Sequence, residues 1–240
     1  MPSETDKIFC FGLPKTGLTS LLQFMKDHGY ASGRRARHLR SAFFKHDFEA
    51  LEEGYDDGCF FCDIPTPFVY EAVFAKYGDR AKYILTVRET PELWYQSLLR
   101  HNIYAHPLRH KHRRTFGRFY PHGFEREHIE FYERHNERVK DFFYARAADR
   151  FLVMKVAEPD AVETLCQFLE IEPRCAHFPV RNVSGGRRET LADSFKRHYN
   201  HLVQPAYARV APNLFRRPAS PVAYLKTFQT LGRSADTAHQ

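Results

Sequence analysis

The sequence predicts an α/β fold, a three-layer α/β/α domain around a mainly parallel sheet of four or five strands. Short β-rich apolar runs alternate with longer segments whose apolar residues recur at helical spacing. The chain has 240 residues, 43% hydrophobic and 15% aromatic, enough to bury a substantial core in one domain. We assign residues 1–215 to that domain. Residues 216–240, which contain Pro218, Pro221 and a polar end, read as a loosely attached C-terminal extension.

The elements follow in order. Lys7 to Gly12 (KIFCFG) is an apolar run ending at glycine, and Leu18, Leu21, Leu22 and Met25 after it lie at helical spacing. This reads as strand, turn, helix, with Gly29 suited to end the helix. An arginine-rich connection and a helix around Phe43 to Glu53 precede a second buried strand, Cys59 to Ile64. Pro65 ends that strand, and Pro67 can open the next helix, which carries Val69, Val73 and Phe74 and stops near Gly78. Lys82 to Val87 is a third strand feeding a helix that Thr90 caps and Pro91 opens. Between Phe124 and Arg150, Ile129, Tyr132, Val139 and Phe143 fall near one helical face. A fourth strand, Phe151 to Val156, and a helix, Asp160 to Leu169, complete the pattern. Ligands of such folds sit at the carboxyl ends of the strands.

Charge and cysteines narrow the class. The formal net charge of +7, with all 14 histidines neutral, favours anionic partners: a nucleotide, an acidic acceptor or a nucleic acid. The densest basic stretch, His101 to Arg114, lacks the regular aromatic interleaving of a single-strand binding platform. It reads as a solvated loop or as an acceptor-binding segment. No run of roughly 18 apolar residues appears, and the charged start leads directly into a strand, so neither secretion nor a membrane span is expected. Five cysteines, an odd number in a chain this large, fit a reducing compartment, by default the cytoplasm. Cys59 and Cys62 form a lone C-x-x-C without a second pair at zinc spacing and read as inert thiols. His106, His110 and His112 lie in a run with nothing to fix a metal geometry. No metal site is expected.

The segment with the clearest chemistry is Phe11 to Leu22, FGLPKTGLTSLL, where the first strand meets the first helix. It is a P-loop-like junction. An anion placed there meets the free N–H groups and positive dipole end of the helix. Gly12 and Gly17 permit close backbone approach, Lys15 supplies a mobile charge, and Thr16, Thr19 and Ser20 offer hydroxyls. The nucleoside-triphosphate pattern wants glycine-lysine-serine/threonine, whereas here Pro14 precedes Lys15 and Gly17 follows Thr16. The order PKTG instead resembles the 5′-phosphosulfate loop of sulfotransferases that use 3′-phosphoadenosine 5′-phosphosulfate (PAPS), commonly written PKSGTT or PKTGTT. The match covers Pro14, Lys15, Thr16, Gly17 and Thr19, while Leu18 stands where a threonine is frequent.

Two further segments extend the resemblance. Thr86 to Leu99, TVRETPELWYQSLL, resembles the element in which a strand-end arginine and a helix serine hold the nucleotide's 3′-phosphate. Arg88 is the matching arginine, and its planar fork suits phosphate oxygens. The family serine lies eight positions after the arginine. Here that position is Gln96, and Ser97 is one further on, so either could meet the phosphate. Trp94 and Tyr95 read as core or cap residues. In CDIPTPF, Cys62 to Phe68, Asp63 stands where many cytosolic members place a catalytic histidine before x-proline. A carboxylate can take a proton equally well, or Asp63 can cap the turn that follows it.

The resemblance spans roughly Lys7 to Arg188, with HFPVRN, His177 to Asn182, similar to the later part of bacterial sulfotransferase-like proteins. Arg187 and Arg188 fall where the family closes a basic loop over the nucleotide, and they equally suit an exposed loop. The resemblance implies sulfuryl transfer from PAPS, leaving 3′,5′-ADP, to a hydroxyl or amine of a small-molecule, carbohydrate or lipid acceptor. Lys15 and Asp63 would be the catalytic pair. Nucleotide contacts would come from residues 14–20, Arg88, Ser97, Arg187 and Arg188. Neither a metal nor a nucleic-acid partner is implied. Two other readings stand beside it: a nucleotide-dependent P-loop kinase or NTPase, and a noncatalytic nucleotide- or polyanion-binding protein that kept the cradle.

Overall fold

A computed structural model gives the fold and describes residues 7–30, 36–102, 116, 121, 123–179 and 190–210. Four strands form one sheet: β1 (Lys7–Cys10), β2 (Phe60–Phe61), β3 (Ala81–Thr86) and β4 (Phe151–Met154). Their order is β2-β1-β3-β4 and every pairing is parallel. Ile8 pairs with Phe60, Cys10 with Ile84 and Thr86 with Met154.

The helices are α1 (Leu18–Asp27), α2 (Ala36–Lys45), α3 (Phe48–Asp56), α4 (Tyr70–Tyr77), α5 (Pro91–Asn102), α6 (Glu125–Tyr144), α7 (Ala161–Leu169) and α8 (Leu191–Val210). α1 ends as Gly29 predicts. Gly29 has φ +86, its N–H bonds the Lys26 carbonyl at 3.0 Å, and the Tyr30 N–H bonds that of Met25 at 2.9 Å, a Schellman stop. Thr90 caps α5, its hydroxyl accepting from the Leu93 N–H at 3.2 Å.

Alternation along β1 builds the layers. Ile8 and Cys10 join Leu21, Phe24, Met25, Ile84 and Leu165 on one face. Phe9 and Phe11 enter an aromatic layer on the other face, where Phe143 lies 4.5 Å from Tyr83, 5.2 Å from Phe11 and 5.0 Å from Phe151. The Lys7 ammonium donates to the carbonyls of Tyr55, Asp56 and Gly58 at 2.7–3.0 Å, tying the end of α3 to the start of β1.

Three local expectations change. The helix expected over Phe43 to Glu53 is two, because His46 takes φ +61 and the Asp47 carboxylate accepts from the Ala50 N–H to start α3. β2 covers two residues rather than Cys59 to Ile64, since Asp63 has φ +64 and leaves the extended region. Pro67 lies in a 3-10 turn, Thr66–Phe68, just before α4.

The chain forms two compact units, one within Met1–Arg88 and His135–Asn182, which holds the sheet, and one within Glu89–Arg134 and Val183–Gln240. In the second, Trp94 stacks on Tyr132 at 4.6 Å and both are buried, so Trp94 and Tyr95 are core residues. Among the described residues no helix is long and apolar enough to cross a membrane.

Candidate active site

β1 sits between β2 and β3, so the chain leaves β1 toward one side and returns on the other. The carboxyl ends of β1 and β3 therefore flank the switch point of the sheet, where such folds open a crevice. From β1 the chain runs through buried Phe11, Gly12 and Leu13 into the turn that begins α1. A Cβ at Gly12 would lie 2.8 Å from the Thr86 carbonyl oxygen and from the Thr16 hydroxyl. Only glycine lets the two strand ends approach this closely.

Lys15 (φ +81) and Gly17 (φ +97) are both left-handed, with Thr16 between them not so. Alternation of this kind is the conformation that backbone anion-binding turns use. Gly17 precedes the first turn of α1, which has neither a side-chain cap nor an acidic residue. The N–H groups of Leu18 and Thr19 open the helix, and no acceptor within it faces them.

Thr16 is 1% exposed. Its hydroxyl donates to the Leu13 carbonyl at 2.7 Å and lies 2.7 Å from the Thr86 hydroxyl, which donates in return. It is a bolt inside the loop rather than an outward donor. Thr19 is exposed, and Pro14, Lys15 and Ser20 are half-buried. Arg88, two residues beyond β3, donates from Nε to the Lys15 carbonyl at 2.8 Å. Two residues chosen from separate motifs thus meet at one point.

Asp63 lies two residues beyond β2, off the same edge of the sheet as Phe11 and Gly12. Its carbonyl accepts from the Thr66 N–H at 2.9 Å, closing the turn before α4, whereas its half-exposed carboxylate pairs with Arg40 Nη2 of α2 at 3.0 Å. No side chain caps the Thr66–Phe68 turn, so the capping role expected for the carboxylate falls to the main chain. Cys59 and Cys62 are free and half-buried, and burial holds the Cys62 thiol well above its ordinary range, as suits inert thiols.

Ser97 is buried on α5, and Gln96 beside it is exposed. Arg187 and Arg188 lie outside the described residues, as does the basic stretch beyond Asn102. Among the described residues no group of three His, Cys, Asp or Glu side chains could hold a metal ion. An open depression lined by Glu163, Cys166, Glu170 and Arg174 involves none of these residues.

Three contributors escape the sequence reading. Arg40 sits in an arginine-rich stretch where spacing singles out none of its members. Thr86 reads as part of the third strand and as the first residue of the 3′-phosphate segment, with no role of its own. His135 is buried on α6, with Nε2 donating to the Phe11 carbonyl at 2.8 Å. Burial lowers its pKa to about 4, so the ring is neutral and steadies the end of β1 as a fixed donor.

Residues 7–187 match the family model of the sulfotransferase domain. No curated protein matches the chain. With most of its length covered, from β1 through the sheet and the strand-end loops, the chain belongs to the sulfotransferase domain family.

Proposed function

We propose that the protein is a PAPS-dependent sulfotransferase acting on a hydroxyl or amine of a small-molecule, carbohydrate or lipid acceptor. The observation that carries this is the junction at the switch point. A loop with left-handed Lys15 and Gly17 opens an uncapped helix, and Arg88 from the neighbouring strand end is bonded to the Lys15 carbonyl. Such a junction suits an anion, and Lys15 and Arg88 add positive charge to it.

When bound, PAPS supplies an activated sulfuryl group whose departure leaves 3′,5′-ADP. Lys15 and the N–H groups of Leu18 and Thr19 meet the charge that builds on the leaving 5′-phosphate, one such donor being worth about 3 kcal/mol. Pro14 shapes the loop, and the hydroxyls of Thr19 and Ser20 supply further contacts. Asp63 takes the proton that the acceptor loses as its oxygen or nitrogen bonds to sulfur and the bond from sulfur to the 5′-phosphate breaks. Arg40 holds that carboxylate in place. Arg88 holds the 3′-phosphate. Charge on the nucleotide is met by these side chains and the helix end, so no step needs a metal. Five free cysteines support a cytoplasmic enzyme.

The test is thermal. 3′,5′-ADP without magnesium should raise the melting temperature by several degrees at saturating concentration. Stabilisation by ATP with magnesium and not by 3′,5′-ADP would indicate a P-loop kinase instead. Stabilisation by 3′,5′-ADP without transfer from radiolabelled PAPS to any of a panel of hydroxylated acceptors would indicate a binding protein that lacks the chemistry.

A further inference from the structure

α8 is built to begin at Leu191. The Asp193 carboxylate accepts from the Thr190 N–H and hydroxyl at 3.1 and 2.8 Å, and the Thr190 hydroxyl accepts from the Asp193 N–H at 3.2 Å. This is a reciprocal cap of the box type. Over its 20 residues, about 30 Å of axis, the helix exposes Leu191 (92%), Phe195 (74%), Tyr199 (53%), Leu202 (73%) and Val210 (84%). Among the described residues the other large apolar side chains this exposed are Leu93 and Tyr144. Exposed apolar surface is therefore concentrated on this helix, and a contiguous patch of this kind marks an interaction surface.

The spacing of the stripe identifies the partner. With exposed Ala206, its members recur at steps of four, four, three, four and four, one face of a helix. They are also placed symmetrically about the midpoint: Leu191 mirrors Val210, Phe195 mirrors Ala206, and Tyr199 mirrors Leu202. Laid antiparallel on a second copy of itself, the helix sets each large ring against a smaller residue, as close packing requires. A parallel pair would oppose Phe195 to Phe195 and leave a gap at Ala206. The antiparallel pair also opposes the two helix dipoles favourably. Pairing the stripes would bury roughly 600 Å² per copy, about 1,200 Å² in all, which reaches the lower end of specific interfaces.

We propose that α8 is a self-complementary dimerisation helix, two copies pairing antiparallel about a two-fold axis through its midpoint. Each copy carries a net charge of +7, so the apolar contact forms against long-range repulsion and tightens as salt screens it. Sedimentation of the full chain over about 1–100 µM should show a mass rising from 28.2 kDa toward twice that value, with the midpoint moving to lower concentration at higher salt. Phe195→Glu and Leu202→Glu should each weaken the dimer at least about tenfold without changing helix content by circular dichroism. Ser194→Glu, off the stripe, should leave the dimer intact. In a Cys175→Ser background, a mixture of the Tyr199→Cys and Leu202→Cys proteins should cross-link to each other in preference to themselves. A monomer throughout the range, a dimer that survives both glutamate substitutions, or preferential self-cross-linking would each overturn the proposal.

Discussion

Asp63 uses different atoms for two tasks, and this makes its proposed role separable. Its carbonyl closes the turn to Thr66, its carboxylate meets Arg40, and its backbone is left-handed at φ +64. Asparagine tolerates that conformation about as well as aspartate. Asp63→Asn therefore keeps the turn and removes the proton acceptor. Turnover should fall about a hundredfold or more with 3′,5′-ADP affinity nearly unchanged, and a phenol acidic enough to be ionised already should recover part of the loss. Unchanged turnover per folded molecule would sink the assignment. Arg88 is less separable, because its Nε braces the Lys15 carbonyl while its fork is assigned to the 3′-phosphate. Arg88→Ala should weaken every nucleotide somewhat through the lost brace. It should weaken 3′,5′-ADP at least about tenfold more than adenosine 5′-phosphosulfate, which has no 3′-phosphate to lose a charged hydrogen bond. Equal losses in calorimetric titrations of the two would show the brace to be its whole function.

At the scale of elements, the sequence marks strand ends and helix starts well because single residues carry the geometry there. Gly29 ends α1, Thr90 and Pro91 open α5, and at the junction Gly12 allows close approach of β3 while Gly17 takes the left-handed position before α1. Less legible are features in which geometry overrides pattern. The break at His46 interrupts a run whose apolar spacing continues, and its one local signal is Asp47 as an N-cap. α8 contains Pro205, which by local rules ends a helix. Residue types in a motif also do not say where a hydroxyl points, so Thr16 counts as an outward donor in the sequence and turns inward in the fold. Gly17 is where pattern and geometry agree. A side chain there would be strained at φ +97 and would lie 2.8 Å from Val156 Cβ. Gly17→Ala should therefore lower stability by about 1–3 kcal/mol. Adding Val156→Ala removes the two γ-carbons, 2.9 and 3.1 Å away, and keeps Cβ, so it relieves part of the steric share and the double variant should melt between Gly17→Ala and wild type. A double variant no more stable than Gly17→Ala would place the cost in the backbone and the Cβ contact.

Part of the whole molecule's response to acid comes from a group with no part in the proposed chemistry. His135 links α6 to the end of β1 through Nε2 and the Phe11 carbonyl, and its ring meets Phe68 edge-on at 6.0 Å. A protonated ring would be charged in a site that solvent barely reaches, so burial lowers its pKa to about 4 against an ordinary value of 6.5. Above pH 6.5 the ring is neutral in both the folded and the unfolded chain, and its contribution is fully present. Between pH 6.5 and 4 the unfolded chain takes up a proton that the folded chain refuses, so stability rises with pH across this window and is lost on acidification. The slope approaches about 1.4 kcal/mol per pH unit, and the full loss is on the order of 3 kcal/mol. Urea midpoints of wild type and His135→Gln, measured from pH 7.5 down to 4.5, isolate this group, because all other titrations are common to both proteins. The glutamine variant keeps a neutral donor, should be the less stable at pH 7.5, and should lose less as pH falls, so the two curves converge. Parallel curves would show that His135 titrates in the folded protein as it does in the unfolded chain, and that the link to Phe11 does not depend on its neutrality.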